Sequence, residues 1–175
     1  MSKFIIFPGI GNSGPEHWQS LWEKSGIDAV RVPQRDWNYP VCSEWVDVLE
    51  DTVIEAGDSA VIVAHSLACI TIAHWASARH TKIKAAFLVA PPNPDGSHFP
   101  DAAVGFSPLP ITKFNFPSMV VASTNDPYSS IEFSEQCASN WGSKLVNIGD
   151  AGHINISSGF GAWSDGFKLL EQLSR

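Results

Sequence analysis

The stretch from Ser59 to Ala78, SAVIVAHSLACITIAHWASA, decides the fold. Val61 to Ala64 is a short β-branched apolar run, the composition of a strand buried on both faces of a parallel sheet. His65-Ser66-Leu67 follows, and then an Ala- and Ile-rich segment long enough for about three helical turns. Strand, sharp turn at a serine, helix is the context of a nucleophile elbow, where a strained backbone pushes the hydroxyl out over the carboxyl edge of the sheet. Strand and helix pass close together there, so the positions two before and two after the serine must be small; they are Ala64 and Ala68. The bare pattern small-x-Ser-x-small is common, and a serine that merely caps a buried helix fits it equally well. The rest of the chain has to separate the two readings.

Outward from this stretch, strand and helix patterns alternate, which predicts a mostly parallel sheet of about six strands with helices on both faces. Phe4 to Phe7 is the first strand. It runs into Pro8-Gly9-Ile10-Gly11-Asn12-Ser13-Gly14, and a helix is expected from Pro15 with Ser13 or Gly14 as its cap. In that helix Trp18, Leu21 and Trp22 share one face. Ala29 to Val32 is a short second strand, followed by a loop in which Trp37 and Tyr39 are candidates either to line a pocket mouth or to anchor the loop to the body. A helix over Ser43 to Ala56 sets Trp45, Leu49 and Val53 on one stripe, and Gly57-Asp58 ends it. Beyond the central stretch, Ala85 to Ala90, Met119 to Ala122 and Leu145 to Ile148 read as strands. A long proline-rich segment up to Pro117, with Phe99, Phe106, Phe114 and Phe116, is expected to cover part of a cleft without forming a cap domain. Ser129 with Glu132 is the expected capping box of the helix that Gly142 stops. The last helix carries Trp163, Phe167 and Leu170 on one stripe. With no internal repeat and no linker, residues 1–175 read as a single domain.

A domain of 175 residues buries roughly 70% of the surface its unfolded chain exposes, so its core needs neither disulfide nor metal. Hydrophobic residues make up 44% and charged ones 17%, a globular composition and not a disordered one. A net charge of −7 with scattered Lys and Arg argues against nucleic acid, whose phosphates need a basic face. Cys42, Cys69 and Cys137 are odd in number and widely spaced, which suits reduced, buried thiols in a cytoplasmic protein. No zinc spacing appears, and neither a metal nor an organic cofactor is expected. No apolar leader precedes the first strand, and no apolar run approaches the ~18 residues of a membrane span. A cytoplasmic protein without membrane contact is therefore expected, and protein partners are not legible.

Two further residues lift Ser66 above a helix cap. Asp126 lies in the turn after the strand Met119 to Ala122, and His153 in a glycine-containing turn after the next strand. In a parallel sheet these turns fall on one edge, the edge where Ser66 is presented. The chain order Ser, Asp, His is that of the α/β-hydrolases. In this reading His153 takes the Ser66 proton during attack on an acyl carbon, and Asp126 holds the His153 tautomer and stabilises the imidazolium. The oxyanion needs preorganised donors. The backbone N–H of Leu67 is one, and the other is expected from the turn after the first strand, at Ile10 with Gly11 in reserve. Asp150, three residues before His153, is the competing acid. His17 and Tyr128, with Trp37, are candidate substrate-binding residues. His65 reads as structural, and His74, His80 and His98 carry no functional case.

Two other classes stay open. Gly9-x-Gly11-x-x-Gly14 formally matches a dinucleotide-binding fingerprint, although Pro15 suggests a helix beginning beyond the third glycine, and Val32-Pro33-Gln34-Arg35 lacks the ribose-binding acid. A hydrolase fold retained as a protein-interaction module through exposed aromatics is the third.

With these residues in hand, the chain resembles the small serine hydrolase family that includes retinoblastoma-binding protein nine, a compact branch of the α/β-hydrolases. The resemblance covers nearly the whole length. It rests on a Pro-Gly turn after the first strand followed by His17-Trp18, on Trp37 and Pro40 before a helix with Trp45, on His65-Ser66-Leu67, on Asp126-Pro127-Tyr128 and on Gly152-His153. It implies an α/β-hydrolase-like sheet of about six strands with a minimal cap, and Ser66, Asp126 and His153 as the triad. It also implies hydrolysis of small carboxylic esters, with amides as a second class. The sequence departs from the pattern at Ala68, where glycine is usual, and at Pro8, where many hydrolases have histidine. The pocket-protein motif Leu-x-Cys-x-Glu is not matched, since Leu67-Ala68-Cys69-Ile70-Thr71 ends in threonine.

Overall fold

The computed structural model of the protein describes residues 2–175. Its elements alternate along the chain as β1 (Lys3–Phe7), α1 (Trp18–Glu23), β2 (Ala29–Arg31), α2 (Cys42–Ala56), β3 (Ala60–His65), α3 (Leu67–Ala78), β4 (Ala85–Val89), β5 (Ser118–Ala122), α4 (Ile131–Trp141), β6 (Lys144–Asn147) and α5 (Ser164–Leu173). The strands form one sheet in the order β2-β1-β3-β4-β5-β6, and every adjacent pair is parallel. Such a sheet needs a helix on each face, because its strands are apolar on both sides. β3 and β4 are buried at every position. Their side chains alternate between two cores. Ile5, Phe7, Ile62, Ala64, Ala86, Leu88 and Val120 belong to one, together with residues of α2, α3 and α4. Ile6, Val61, Val63, Phe87, Val89 and Val121 belong to the other, with Trp18 and Trp22 of α1 and Leu170 of α5.

The strand order reverses direction between β1 and β3, the neighbouring pair from which successive strands are laid down in opposite directions. At such a switch point the connections leave the carboxyl ends of the two strands to opposite sides and open a crevice. Gln19 holds this point together. Its buried side chain donates through Nε2 to the Phe7 and Val63 carbonyl oxygens, both at 3.0 Å, and accepts from Ser13 Oγ at 2.6 Å.

The expected helix start at Pro15 is corrected: α1 begins at Trp18, and His17 is its N-cap, with Nδ1 accepting from Gln19 N. Ser13 does not cap because its hydroxyl is turned to Gln19. The expected Ser129–Glu132 capping box is corrected too. Ser129 Oγ points inward to Ser130 O and Ser134 Oγ, while Ser130 sits in extended backbone and accepts from Phe133 N. Gly142 ends α4 in the left-handed conformation, as expected of a helix-terminating glycine. Trp163 lies one residue outside α5 as its N-cap, and still packs with Phe167 and Leu170 on the α1 side.

The segment 90–117 is not a cover over the cleft as a whole. Phe106, Phe114 and Phe116 are buried in the core that α2, α3 and α4 share. Phe114 stacks on Trp141 with ring centroids 5.3 Å apart, and Trp141 Nε1 donates to Pro110 O. The segment is a strap across that helical face, tied down because three aromatic rings bury there more apolar surface than a solvent-facing lid would. Only Pro92, Phe99 and Pro100 of it reach the carboxyl-edge pocket.

The indole of Trp18 joins α1 to the turn after β6: it is fully buried, meets Trp22 and Trp163, and donates through Nε1 to Ile154 O at 2.9 Å. Trp18→Ala is expected to lower the unfolding free energy by about 3–5 kcal/mol, read as a shift of the urea midpoint.

Candidate active site

Ser66 follows the last residue of β3 and adopts φ 57°, ψ −126°, a left-handed conformation that non-glycine residues avoid. The strain, of order 1–3 kcal/mol, is held by the surrounding frame. Ser66 N donates to Val89 O of β4, and Cys69 N to Ser66 O, both at 2.9 Å. Ala64 and Ala68 are completely buried, as the close passage of strand and helix requires. The turn after β1 presses on the elbow from the other side. A Cβ at Gly9 would lie 2.9 Å from Ser66 Cβ and 3.1 Å from the His65 carbonyl oxygen, so only glycine lets that backbone approach. Among the described residues the backbone N–H groups of Ile10 and Leu67 find no acceptor in the protein. That of Gly11 is engaged by Trp37 O at 2.9 Å, which removes the reserve donor.

His153 Nε2 lies 2.8 Å from Ser66 Oγ, and its Nδ1 lies 2.9 and 3.0 Å from the two carboxylate oxygens of Asp126. Asp126 is sealed from solvent, with 2% of its side chain exposed. Its Oδ1 also accepts from Tyr128 N, and the Tyr128 ring meets the His153 ring edge-on at 4.6 Å. The carboxylate fixes a proton on Nδ1 and leaves the Nε2 lone pair to accept the serine O–H. The competing acid, Asp150, is exposed, turned away and bonded to Thr124 Oγ1.

The turn carrying His153 is stapled to its neighbours at four backbone points. Ala151 N donates to Ser123 Oγ (2.9 Å), Gly152 N to Asn125 Oδ1 (2.7 Å) and His153 N to Ser158 Oγ (3.1 Å), while the His153 carbonyl oxygen meets His65 Nε2 (2.9 Å). His65 is thus the structural residue the sequence suggested, a buried ring between those of His17 and His153 at 4.9 and 5.0 Å. Ser123, Asn125 and Ser158 were not singled out by sequence reasoning. Polar residues in turns are too frequent to mark which of them bond across to another loop.

Burial holds both supporting histidines neutral. His17 is lowered from 6.5 to about 4, by desolvation first and then by Arg31 and His153. His65 is pushed well below its ordinary value, again by desolvation first and then by His153 and His17.

A cavity of about 350 Å³ opens over Ser66, walled by Ile10, His17, Leu67, Phe99, Tyr128 and Asn155 among others. Of the expected substrate-side residues, His17 and Tyr128 line it. Trp37 does not: its ring packs edge-on against Trp45 at 5.6 Å and its carbonyl pins Gly11, so it anchors the loop. The glycine pattern of a dinucleotide site is also explained otherwise. α1 starts four residues beyond Gly14 and is only six residues long, while Gly9 serves the elbow. Among the described residues no cluster of three His, Cys, Asp or Glu side chains is arranged to hold a metal ion.

The serine hydrolase family model matches residues 4–172. A YdeN-like hydrolase of Pectobacterium atrosepticum is 30% identical, with a TM-score of 0.88 over 99% of this chain and 91% of that one. The ydeN gene product of Bacillus subtilis is 21% identical, with a TM-score of 0.76 over 99% and 98% of the two chains. Esterase 2 of Thermogutta terrifontis is 16% identical, with a TM-score of 0.67 over 98% and 81%. No curated protein matches the chain in sequence.

Because His17 and His65 are neutral when folded, the unfolded chain binds more protons between about pH 4 and 6.5. Stability is therefore full above the unfolded histidine value and is lost as pH falls through this window. The urea midpoint is expected to drop between roughly pH 7 and pH 5. The drop should be smaller in His65→Gln, which keeps a donor for the His153 carbonyl but cannot titrate.

Proposed function

The chain belongs to the serine hydrolase family and has the α/β-hydrolase fold, and from that premise we propose that it is a single-domain, cofactor-independent esterase cleaving small carboxylic esters through Ser66, His153 and Asp126. The observation that carries the reading is the continuous chain of contacts from Ser66 Oγ through both ring nitrogens of His153 to the sealed carboxylate of Asp126. Ser66 Oγ attacks the acyl carbon as its proton passes to His153 Nε2, and the carbonyl π electrons move to oxygen. The positive charge that develops on the ring is balanced by Asp126, which keeps its negative charge. The oxyanion is met by the N–H groups of Ile10 and Leu67, whose lack of partners in the resting protein suits them to wait for it. Collapse breaks the bond to the leaving oxygen, which takes the proton from His153. Water then repeats the sequence on the acyl-serine and regenerates Ser66. Amides are the second substrate class, since the same proton transfer serves an amine leaving group.

The three cysteines do not compete as nucleophiles: all are buried and unpaired, and burial pushes the Cys42 and Cys137 thiols up to about 12. Three free, buried thiols are what a protein kept in a reducing compartment carries, and the location we propose is the cytoplasm. Among the described residues no helix is long and apolar enough to cross a membrane, and the proposed partner is a small molecule.

Ser66→Ala is expected to lower turnover of an activated ester by ~10⁶-fold and to abolish covalent labelling by a fluorophosphonate. Retained labelling or near-normal turnover would place the chemistry elsewhere. Asp126→Asn is expected to cost ~10⁴-fold in kcat and Asp150→Asn little; the reverse ranking would reassign the acid.

A further inference from the structure

We propose that the pocket selects esters whose acyl chain carries a second hydrogen-bond acceptor, a keto or carboxyl oxygen a few atoms from the scissile carbonyl. This rests on the esterase reading above and narrows its substrate class. The observation behind it is a set of unpartnered donors in the pocket lining. That lining combines apolar Leu67, Phe99 and Tyr128 with polar Asn12, His17 and Asn155.

In each of these three polar residues a backbone N–H fixes which side-chain atom accepts. Ser13 N donates to Asn12 Oδ1 at 2.8 Å, Gln19 N to His17 Nδ1 at 3.2 Å and Ser158 N to Asn155 Oδ1 at 3.1 Å. A backbone N–H can only donate, so neither the amides nor the ring can be turned round. The two amide oxygens are engaged a second time, Asn12 Oδ1 by Arg31 Nη1 at 2.7 Å and Asn155 Oδ1 by Ser158 Oγ at 3.0 Å. What remains is Nδ2 of Asn12, Nε2 of His17 and Nδ2 of Asn155, each an N–H donor with no partner among the described residues. Among the described residues that are not exposed, only Gln34 Nε2 is both sealed and unpartnered, so His17 Nε2 and Asn155 Nδ2 reach solvent, and Asn12 is itself exposed. Burial keeps His17 in its neutral form, which makes Nε2 a donor of fixed orientation.

No side chain of this lining outside the Ser66–His153 pair is a strong acceptor. No Asp or Glu lines the pocket, and Asp126 stands behind His153. The Ser13 hydroxyl gives its proton to Gln19, and the Ser157 hydroxyl turns to suit either role. An ester with a plain alkyl chain would strip water from these donors and return nothing, whereas one with an acceptor oxygen within their reach replaces the water. A site built to hydrogen-bond its substrate rejects the analogue lacking the group more strongly than an apolar pocket rejects a missing methylene. An ammonium-bearing ester brings donors to donors and is disfavoured.

The test compares p-nitrophenyl 4-oxopentanoate with p-nitrophenyl pentanoate, each kcat/KM divided by the ester's rate with hydroxide. The corrected ratio is expected to be about tenfold or more in favour of the keto ester. Asn155→Asp keeps Oδ1 for Ser158 and replaces the Nδ2 donor by an acceptor, and the ratio should fall several-fold, toward one. Asn12→Asp makes the same exchange independently and should move the ratio the same way. A ratio near one in an unmodified protein that a fluorophosphonate labels at Ser66 overturns this inference alone, as do folded Asp variants that both keep the wild-type ratio. Absence of labelling in the unmodified protein removes the esterase reading and this inference with it.

Discussion

The left-handed backbone at Ser66 is the constraint from which the rest of the site is built. A residue with a Cβ does not take φ 57° unless its neighbours leave no alternative. Three neighbours impose it: the Val89 carbonyl of β4, which takes the Ser66 N–H; the first turn of α3, which begins at Leu67; and Gly9, whose lack of a side chain lets the turn after β1 close on the elbow. The same geometry that exposes the hydroxyl leaves the Leu67 N–H without an acceptor at the start of a helix, next to the free N–H of Ile10. The exposed hydroxyl and the free N–H groups are therefore consequences of one turn, and a change that relaxes the turn loses both.

The partners of Ser66 are positioned by polar contacts between loops and not by the sheet directly. β5 and β6 bring Asp126 and His153 to the correct edge, but the sheet register alone does not set a 2.8 Å contact. That is done by Ser123, Asn125, Ser158 and His65, each of which holds a backbone group of residues 151–153. Gln19 does the equivalent on the other side of the switch point, satisfying carbonyls of β1 and β3 that end beneath the pocket. Apart from the exposed Asn125, these are buried or half-buried polar groups with their partners in place, the condition under which such networks rigidify a site.

The protein presents one broad apolar face and one aromatic one, and they are closed differently. On the first, α2 and α3 lie side by side and the strap 90–117 fills the rest with Phe106, Phe114 and Phe116. On the second, the short α1 is held by stacked indoles, with Trp22 and Trp163 centroids 5.7 Å apart and Trp18 edge-on to Trp163. Because the long loop is occupied in covering a helical face, the pocket is left open at the carboxyl edge, with Pro92, Phe99, Pro100, Tyr128 and Ile156 among the residues that line it. A cavity of about 350 Å³ lies at the small end of the range for small-molecule sites.

Much of this was legible in the residues themselves. The two-sided apolar runs at Val61 to Ala64 and Ala85 to Ala90 require burial on both faces, and hence parallel strands with helices between them, whatever the details of packing. The small residues around Ser66, and Asp126 and His153 in turns after later strands, then follow the chain order that one sheet edge can assemble. What the residues could not settle were choices decided by contacts distant in sequence. Whether Trp37 faces a pocket or packs on Trp45, whether four phenylalanines cover a cleft or fill a core, and whether Ser13 caps a helix or bonds Gln19 depend on which surfaces meet after folding. The unpartnered donors of Asn12, His17 and Asn155 are of the same kind. An asparagine carries donor and acceptor alike in the sequence, and only the backbone N–H that folding brings to its oxygen decides which of the two is left without a partner.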